Sequence, residues 1–363
     1  MPQRRIPAVY MRGGTSRCLV FHARDLPGPG VERDAILLRA LGSPDPYGRQ
    51  LDGLGGGISS LSKACIIGPT THPDADVDFT FAQVEVSRPV VDYKGNCGNC
   101  SSAVGPFAID EGLVAAVEPE TVVRIHNTNT RKLILAHVPV RGGEAAVAGD
   151  FELPGVPGKA ARIALDFVDP GGAVTGRLLP TGHACDVIEG LQASCVDATS
   201  PMVFVRAKDV GLAGTESPAD IDADPALGAR LEKIRTAAAA LMGIPGSAAV
   251  PKIALVAPSA PFAALDGTRY EATAADVLAR VISMGNCHRA FALTAAICLA
   301  VAARIEGTVV QEAVGPATAG DVRLAHPSGV LPIAAEVGPG PTARRVTVYR
   351  TARRLMEGFV RLP

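Results

Sequence analysis

The stretch that decides the fold is Tyr93-Lys94-Gly95-Asn96-Cys97-Gly98-Asn99-Cys100-Ser101-Ser102-Ala103-Val104. Glycine and asparagine tolerate the backbone angles of a tight loop, and asparagine and serine are good helix caps before the apolar run 103–109. The sequence therefore predicts that Cys97 lies at a helix start, where unpaired N–H groups and the positive end of the helix dipole favour a thiolate. The same groups offer a cradle for a carboxylate or an enolate oxygen.

Two other interpretations of this loop stay open. One is a glycine-rich turn from strand to helix whose thiol is incidental. The other treats Cys97 and Cys100 as a redox or metal pair, because they have the Cys-x-x-Cys spacing. We expect no metal ligands, because the sequence has no second Cys-x-x-Cys and His72 and His126 lie far from the loop along the chain. Thioredoxin-like exchange is disfavoured because strand and helix do not alternate regularly.

A second informative stretch is Leu54-Gly55-Gly56-Gly57-Ile58-Ser59-Ser60-Leu61-Ser62-Lys63-Ala64-Cys65-Ile66-Ile67. Glycines and hydroxyls lead into an apolar strand, and Lys63 stands at the junction. Lysine is scarce in this chain, with seven among 35 basic residues. A partly buried lysine can lose its proton and act as a base, whereas a guanidinium stays charged. The alternative is a lysine at a strand edge that points to water.

Three further loops carry polar side chains. The first, Met11-Arg12-Gly13-Gly14-Thr15-Ser16-Arg17, can bind an anion through its backbone N–H groups, and Arg12 can grip a carboxylate with two hydrogen bonds, although an exposed turn is an equal alternative. The stretches 178–183 and 197–201 are interpreted first as turns. His288 follows Asn286-Cys287 at the start of an alanine-rich helix, where a histidine can bind substrate, act as an acid or cap the helix.

The composition excludes several classes of protein. A chain of 363 residues predicts two domains, and a formal charge of −1 with 20% charged residues predicts no nucleic-acid partner. The amino terminus lacks a secretory apolar region and the longest apolar run, 290–303, is too short to span a bilayer, so we expect a cytoplasmic protein without a membrane anchor. Eight cysteines in that setting predict reduced thiols, of which Cys18, Cys65, Cys185, Cys195 and Cys298 fill the core. Nucleotide and zinc-hydrolase motifs are absent from the sequence.

The order of predicted elements indicates an α+β fold with mixed or antiparallel sheets. Strands are predicted at 8–11, 18–21, 64–67, 77–86, 121–126 and 132–140. Helices are predicted at 33–41, 100–109, 225–242, 273–282 and 288–304. Gly- and Pro-rich segments place the boundary between the halves somewhere in 141–185. Gly95-Asn96-Cys97 and Gly285-Asn286-Cys287 both precede a predicted helix, which is a weak sign of internal repetition.

Taken together, these motifs resemble the PrpF family of methylaconitate and oxalomesaconate isomerases. The resemblance runs nearly end to end and rests on Met11-Arg12-Gly13-Gly14-Thr15-Ser16, Ser59-Ser60-Leu61-Ser62-Lys63, Gly95-Asn96-Cys97-Gly98-Asn99 and Leu178-Leu179-Pro180-Thr181-Gly182. It implies the diaminopimelate-epimerase-like fold, in which two pseudo-symmetric domains each wrap a sheet around a central helix and the active site lies in the cleft between them. The expected domains are 1–180, with Lys63 and Cys97, and 181–363, with His288 and a C-terminal segment that can cross back. Cys100 and Arg17-Cys18 depart from the pattern of the family.

The resemblance also implies a cofactor-independent enzyme that moves a proton across an allylic system of a small unsaturated di- or tricarboxylate. Lys63 and Cys97 would be the catalytic pair. We expect the substrate to contact loop residues around them, namely Arg12, Gly14, Thr15, Ser16, Ser59, Ser60, Ser62, Asn96, Gly98, Asn99, Ser101, Met284, Gly285 and His288. A homodimer is expected as the assembly.

Two alternatives to this activity are kept. An amino-acid racemase or epimerase would use Cys97 and Cys287 as opposing bases and would have no use for Lys63. A protein of another class would bind carboxylates without catalysis, or exchange thiols through Cys97 and Cys100. Activity of a Cys287→Ala variant separates the racemase from the allylic isomerase, because only the racemase needs this thiol. Rapid alkylation of Cys97 that a tricarboxylate blocks and that Cys100→Ser does not change would count against the second class.

Overall fold

The computed structural model describes residues 3–316, 320–340 and 342–363, and the chain divides into two compact units. The first unit is Met1–Leu165 together with Tyr349–Pro363, and the second is Asp166–Val348. The boundary between the two units lies between Leu165 and Asp166, the C-terminal segment belongs to the first unit, and the expected domain bounds 1–180 and 181–363 stay a prediction. That each unit is an independently folding domain stays a prediction.

Strands make up most of the regular structure. The chain begins with β1 Arg4–Gly13, β2 Ser16–His22, β3 Lys63–Pro69, β4 Val77–Val84, β5 Val91–Asp92, β6 Glu120–Asn127, β7 Lys132–Arg141, β8 Glu144–Ala145, β9 Phe151–Glu152, β10 Lys159–Ala160 and β11 Ile163–Val168. It continues with β12 Asp186–Ile188, β13 Leu191–Ala198, β14 Ser200–Arg206, β15 Lys252–Pro258, β16 Phe262–Ala263, β17 Arg269–Tyr270, β18 Val277–Ser283, β19 Asn286–Cys287, β20 Val322–His326, β21 Gly329–Gly338, β22 Thr342–Arg350 and β23 Ala352–Leu362.

Helices are few, as the predicted α+β class requires. They are α1 Val31–Leu41, α2 Gly98–Asp110, α3 Pro218–Asp222, α4 Pro225–Leu241, α5 Leu293–Ala302 and α6 Val309–Val314, with short 3-10 turns at Ala23–Asp25, Ser59–Leu61, Ala207–Val210 and Ala272–Ala274. In the part of the chain that the structure describes, no helix has both the length and the apolar character needed to cross a membrane.

The first unit is a mixed sheet wrapped around α2. Strand β1 is antiparallel to β2 and β23, β2 is parallel to β3, β3 is antiparallel to β4, β4 is parallel to β6, and β6 is antiparallel to β7. Helix α2 contacts each of these strands and is buried from Gly98 to Ile109. A Cβ atom at Gly105 would lie 2.7 Å from Cγ2 of Val138, so glycine is required where the helix approaches the sheet.

The second unit repeats this arrangement around α5. Along β13, β14, β15, β18, β20 and β21, neighbouring strands are antiparallel, parallel, antiparallel, parallel and antiparallel in turn, as along β1, β2, β3, β4, β6 and β7. Every residue of α5 is buried, and the helix contacts β13, β14 and β21. The expected pseudo-symmetry is therefore confirmed in the topology of the two units.

The two units also repeat one ion pair in detail. In the first unit Asp76 accepts a 2.8 Å hydrogen bond from the backbone N–H of Arg124 and lies 2.6 Å from its Nη2. In the second unit Asp276 accepts the corresponding bonds from Arg323 at the same distances. Each carboxylate joins the start of one strand to the strand parallel to it, so the pair fixes the parallel register in each sheet.

One predicted helix is wrong. The segment 273–282 contains only the end of a 3-10 turn, and its second part is strand β18. Six of the seven residues of β18 are buried, so the strand shows no alternation of exposure, because β18 lies between β15 and β20. A continuous apolar run of this length does not distinguish a buried strand from a buried helix by periodicity.

We expect Asp76→Ala and Asp276→Ala each to lower the free energy of unfolding of their own unit by about 1–3 kcal/mol, because each leaves a backbone N–H and a guanidinium without their acceptor. Urea titrations of the purified variants measure the effect. Asp150→Ala is the matched control because Asp150 is exposed. Unfolding curves of both variants that coincide with the wild type would contradict a role of these pairs in fixing the register.

Candidate active site

Cys97 is the N-cap residue of α2, which confirms the predicted position at a helix start. Its backbone is extended, with φ −118° and ψ 98°, and its Sγ accepts a 3.4 Å hydrogen bond from the N–H of Cys100. The carbonyl of Cys97 accepts bonds from both the N–H and the hydroxyl of Ser101. The loop and the first helical turn therefore hold the thiol in one place, with 9% of the residue exposed.

The pKa of Cys97 shifts in the opposite direction from the one that its position at a helix start predicts. Burial raises the pKa of Cys97 well above its ordinary value, and the hydrogen bond with the Cys100 side chain and the charge of that residue act in the same direction. The charge of Lys63 opposes this rise without cancelling it. Removal from water thus outweighs the helix dipole and the nearby cation, so the thiol keeps its proton at neutral pH and is equipped to donate it.

Lys63 begins strand β3 and is buried, with 8% of the residue exposed, which excludes a side chain pointing to water. Its Nζ donates a 2.7 Å hydrogen bond to Oε1 of Gln83 and lies 5.0 Å from the centre of the Phe81 ring. Because its charge lowers the pKa of Cys97, the amine and the thiol are close enough to interact electrostatically. The structure therefore brings the two predicted catalytic side chains together within the first unit.

Arg350 is a cation of this site that the sequence did not reveal. It is buried, and its Nε donates a 3.0 Å hydrogen bond to Oδ1 of Asn99 in the first turn of α2. Burial lowers the pKa of Arg350 to about 9, and a charge on Cys97 would act in the opposite direction. Arg350 and Asn99 are 251 positions apart in the chain, so local sequence patterns carry no signal for this contact.

The loop after β1 packs against the first turn of α2. Gly14 has φ 51°, and a Cβ atom there would lie 2.2 Å from Oδ1 of Asn99, so only glycine fits this approach. Asn99 also donates a 3.1 Å hydrogen bond to the hydroxyl of Thr15. The hydroxyl of Ser16 is buried without a hydrogen-bond partner among the described residues, which leaves it available for a ligand.

Arg12 bonds to the loop after β1 and to the C-terminal segment. Its Nη1 donates to the carbonyl of Gly14 and to both the carbonyl and the hydroxyl of Thr351, at 2.9–3.0 Å. This nitrogen is therefore committed to the loop and to the C-terminal segment. These contacts let Arg12 shape the loop, and its grip on a substrate carboxylate by two hydrogen bonds stays a prediction.

The remaining predicted residues of the first unit divide by their contacts. Ser59 and Ser60 are half-buried in the 3-10 turn Ser59–Leu61. The hydroxyl of Ser62 donates to the carbonyl of Val84 and accepts from the Gln50 amide inside the core, and its substrate contact stays a prediction. Oδ1 of Asn96 accepts from the Asn127 amide. Gly98 opens α2, where the N–H groups of the first turn lack partners within the helix.

Three other cysteines lie beside Cys97. The Sγ atoms of Cys18, Cys65 and Cys100 are within 4.8 Å of one another, and all three residues are buried. Three soft donors at this spacing could hold a thiophilic ion, although the chain lacks the sequence spacing of a zinc motif. The group comes from β2, β3 and α2, so it arises from strand register rather than from neighbouring positions in the chain.

The predicted residues of the second unit lie on a hairpin. Met284 and Gly285 have φ 54° and 82° and form the two-residue turn between β18 and β19, in which Ser283 pairs with Asn286. Cys287 lies on β19, its N–H donates to Asp222 at 2.7 Å, and burial raises its pKa to about 12. Nδ1 of His288 accepts from the N–H of Ala290.

The sequence similarity between the two Gly-Asn-Cys motifs is therefore not matched in structure. Helix α5 begins at Leu293, with Ala292 as its N-cap, so Cys287 is not at a helix start. The racemase alternative uses Cys97 and Cys287 as opposing bases, and Cys287 lies on strand β19. The pseudo-symmetry of the topology does not extend to a second thiol at the helix terminus.

Comparisons with known proteins identify the family of this chain. Residues 3–363 match the family described as "PrpF protein". A 3-methylitaconate isomerase from Eubacterium barkeri is 45% identical, covering 99% of this chain and 97% of its own length. A 2-methyl-aconitate isomerase from Cupriavidus necator is 43% identical, covering 100% and 98%.

Solved structures give the same result for the fold. The crystal structure of methylitaconate-delta-isomerase is 44% identical, with a TM-score of 0.80 and coverage of 100% of this chain and 96% of that chain. A hydroxyproline epimerase from Agrobacterium vitis, 15% identical with a TM-score of 0.57 and coverage of 99% and 93%, shares the fold. The expected diaminopimelate-epimerase-like fold and the expected isomerase class are confirmed. The chain belongs to the PrpF family.

Proposed function

We propose that this isomerase moves a proton across the three-carbon allylic system of a small unsaturated di- or tricarboxylate, with Lys63 as the base and Cys97 as the acid. The observation that carries the proposal is that the buried thiol of Cys97 at the start of α2 and the buried amine of Lys63 at the start of β3 are close enough to interact electrostatically. A protonated thiol and an amine are complementary proton-transfer groups, whereas two thiolates would be two bases. The reaction needs only these side chains, the substrate and water.

The groups around this pair suit a carboxylate. Arg350 supplies a buried positive charge next to Asn99, and the N–H groups of Gly98 and Asn99 open the helix at its positive end. The free hydroxyl of Ser16 adds a donor among the described residues. These groups also stabilise the negative charge that develops on a carboxylate when the adjacent carbon loses its proton.

The relatives support the class of substrate. One is named for 3-methylitaconate and the other for 2-methyl-aconitate, which are unsaturated acids with a methyl substituent on or beside the double bond. We propose that this chain acts on an acid of that class. Contacts of the substrate with Met284, Gly285 and His288, a homodimeric assembly and a cytoplasmic location stay predictions from the sequence.

The proposed steps balance in protons and electrons. In its unprotonated form, the amine of Lys63 takes a proton from the carbon next to the double bond, and the electron pair of that C–H bond delocalises into the carboxylate. Cys97 then gives its proton to the other end of the three-carbon unit, so a new C–H bond forms and the double bond moves. Rotation before the second transfer gives cis–trans isomerisation. Return of the proton from Lys63 to Cys97 through water restores both groups.

We expect Cys97→Ser and Lys63→Ala each to lower turnover by at least about 10²-fold with the fold intact, because each removes one proton-transfer group. Proton NMR in heavy water, with a panel of methylaconitates, aconitates, itaconates and oxalomesaconate, measures both turnover and deuterium uptake. Cys185→Ser and Lys159→Ala are the controls, since Cys185 is remote in sequence from α2 and Lys159 is exposed. Near-normal turnover in either variant removes that residue from the mechanism.

The raised pKa of Cys97 predicts slow alkylation by iodoacetamide at neutral pH, slower than that of glutathione, with a rate that rises at alkaline pH. Lys63→Ala should move this rate profile to higher pH, because the charge of Lys63 lowers the thiol pKa in the wild type. Mass spectrometry of the peptide that contains Cys97 follows the modification. An unchanged profile in Lys63→Ala would mean that the two groups do not interact.

Cys287→Ala should retain turnover within about threefold, because the allylic reaction does not use this thiol; a change of that size is less than 1 kcal/mol in activation free energy. The same NMR assay measures it, and Cys97→Ala serves as the inactive reference. Loss of turnover in Cys287→Ala, with the fold retained by circular dichroism, would return the racemase mechanism to consideration.

A further inference from the structure

Gln83, on the strand next to β3, accepts a hydrogen bond from the amine of Lys63. The two residues are directly paired across the antiparallel strands β3 and β4, so their side chains lie on the same face of the sheet. Oε1 of Gln83 accepts the 2.7 Å hydrogen bond from Nζ, and only 5% of Gln83 is exposed. Phe81, two residues earlier in β4, lies on the same face and has its ring centre 5.0 Å from Nζ.

The orientation of the Gln83 amide follows from its other contacts. Nε2 donates to the carbonyls of Ser59 and Ser62, at 3.1 and 2.9 Å. A flipped amide would turn its oxygen toward these two carbonyl oxygens and its N–H groups toward a side chain that also donates. Two backbone acceptors therefore require Oε1 to face Lys63, and the amide joins the amine to the turn Ser59–Leu61.

We infer that Gln83 is a positioning residue for Lys63, which it orients so that the lone pair of the amine is directed at the substrate; the inference rests on the proposed function. A neutral amine has two N–H donors and one lone pair. One N–H donated to a fixed acceptor restricts rotation about the terminal carbon–nitrogen bond and directs the lone pair away from Gln83. The amide is neutral, so it orients the amine without the preference for an ammonium that a carboxylate would create.

A substitution at position 83 can therefore be designed to change charge or to remove the acceptor. Gln83→Glu places a carboxylate at the acceptor position, which favours the ammonium form of Lys63. Gln83→Met keeps the length of the side chain and removes the acceptor. The charged or titratable groups that interact with Lys63 or lie in register with Gln83 are Cys97 of α2, Cys18 of β2 and Asp92 of β5, and they are the same in both variants.

We expect the acid-side midpoint of the kcat profile to rise by at least one pH unit in Gln83→Glu, with turnover recovering at high pH. In Gln83→Met we expect kcat to fall by at least about tenfold while KM changes by less than about threefold, because the orientation of the base is lost and binding is retained. Gln192→Glu and Gln192→Met are the matched controls, because Gln192 lies on strand β13 and is exposed. A purely structural Gln83 would lower the unfolding midpoint without moving the pH profile, and that result would overturn the inference.

A second measurement does not depend on turnover. Acetic anhydride labels lysines only in the neutral form, and mass spectrometry gives the labelling rate of Lys63 against pH, with exposed Lys159 as the reference in the same chain. The midpoint for Lys63 should be higher in Gln83→Glu than in the wild type, and equal midpoints would overturn the inference. If the wild type isomerises no acid of the panel, the proposed function fails, and the labelling result alone decides whether Gln83 controls the amine.

Discussion

The desolvation of Cys97 is the constraint on which the rest of the site depends. Helix α2 is buried along most of its length, and strands on several sides contact it, so its first turn cannot move toward water. The thiol at the N-cap is therefore buried. The helix dipole and the two cations, Lys63 and Arg350, favour its ionised form, whereas burial opposes it. Because the cost of burying a charge exceeds these attractions, burial raises the pKa of Cys97, and the proposed mechanism therefore uses this thiol as the acid and Lys63 as the base.

Local sequence was sufficient to predict the elements whose conformation depends on consecutive residues. The loop around Cys97 contains its own caps and glycines, and Lys63 stands where a polar turn becomes an apolar strand, so both positions could be predicted. Gln83 and Arg350 could not be predicted in this way. Gln83 contacts Lys63 because β4 pairs with β3, and Arg350 contacts Asn99 because the C-terminal segment packs against the first unit. An alternating pattern around Gln83 was visible, but its partner strand was not.

The errors have a common physical origin. The thiolate of Cys97 was predicted from the helix dipole, which is a local property, whereas desolvation depends on the whole surrounding sheet. The segment of β18 was predicted as a helix because burial on both faces removes the alternation that marks a strand. The tripeptide at Gly285 resembled the one at Gly95, yet it forms a hairpin turn, and the true internal repeat lies in the strand order and in the pairs Asp76–Arg124 and Asp276–Arg323.

The return of the segment Tyr349–Pro363 to the first unit has a consequence for biosynthesis. Strand β23 pairs with β1 along its length, and Arg350 and Thr351 bond to Asn99 and Arg12. The ribosome makes the whole of the second unit before it makes the segment Tyr349–Pro363. The second unit is contiguous in sequence, whereas the sheet of the first unit has an unpaired edge at β1 until β23 is made. The surroundings of the Cys97 thiol are thus completed late in translation, after the ribosome has made β23.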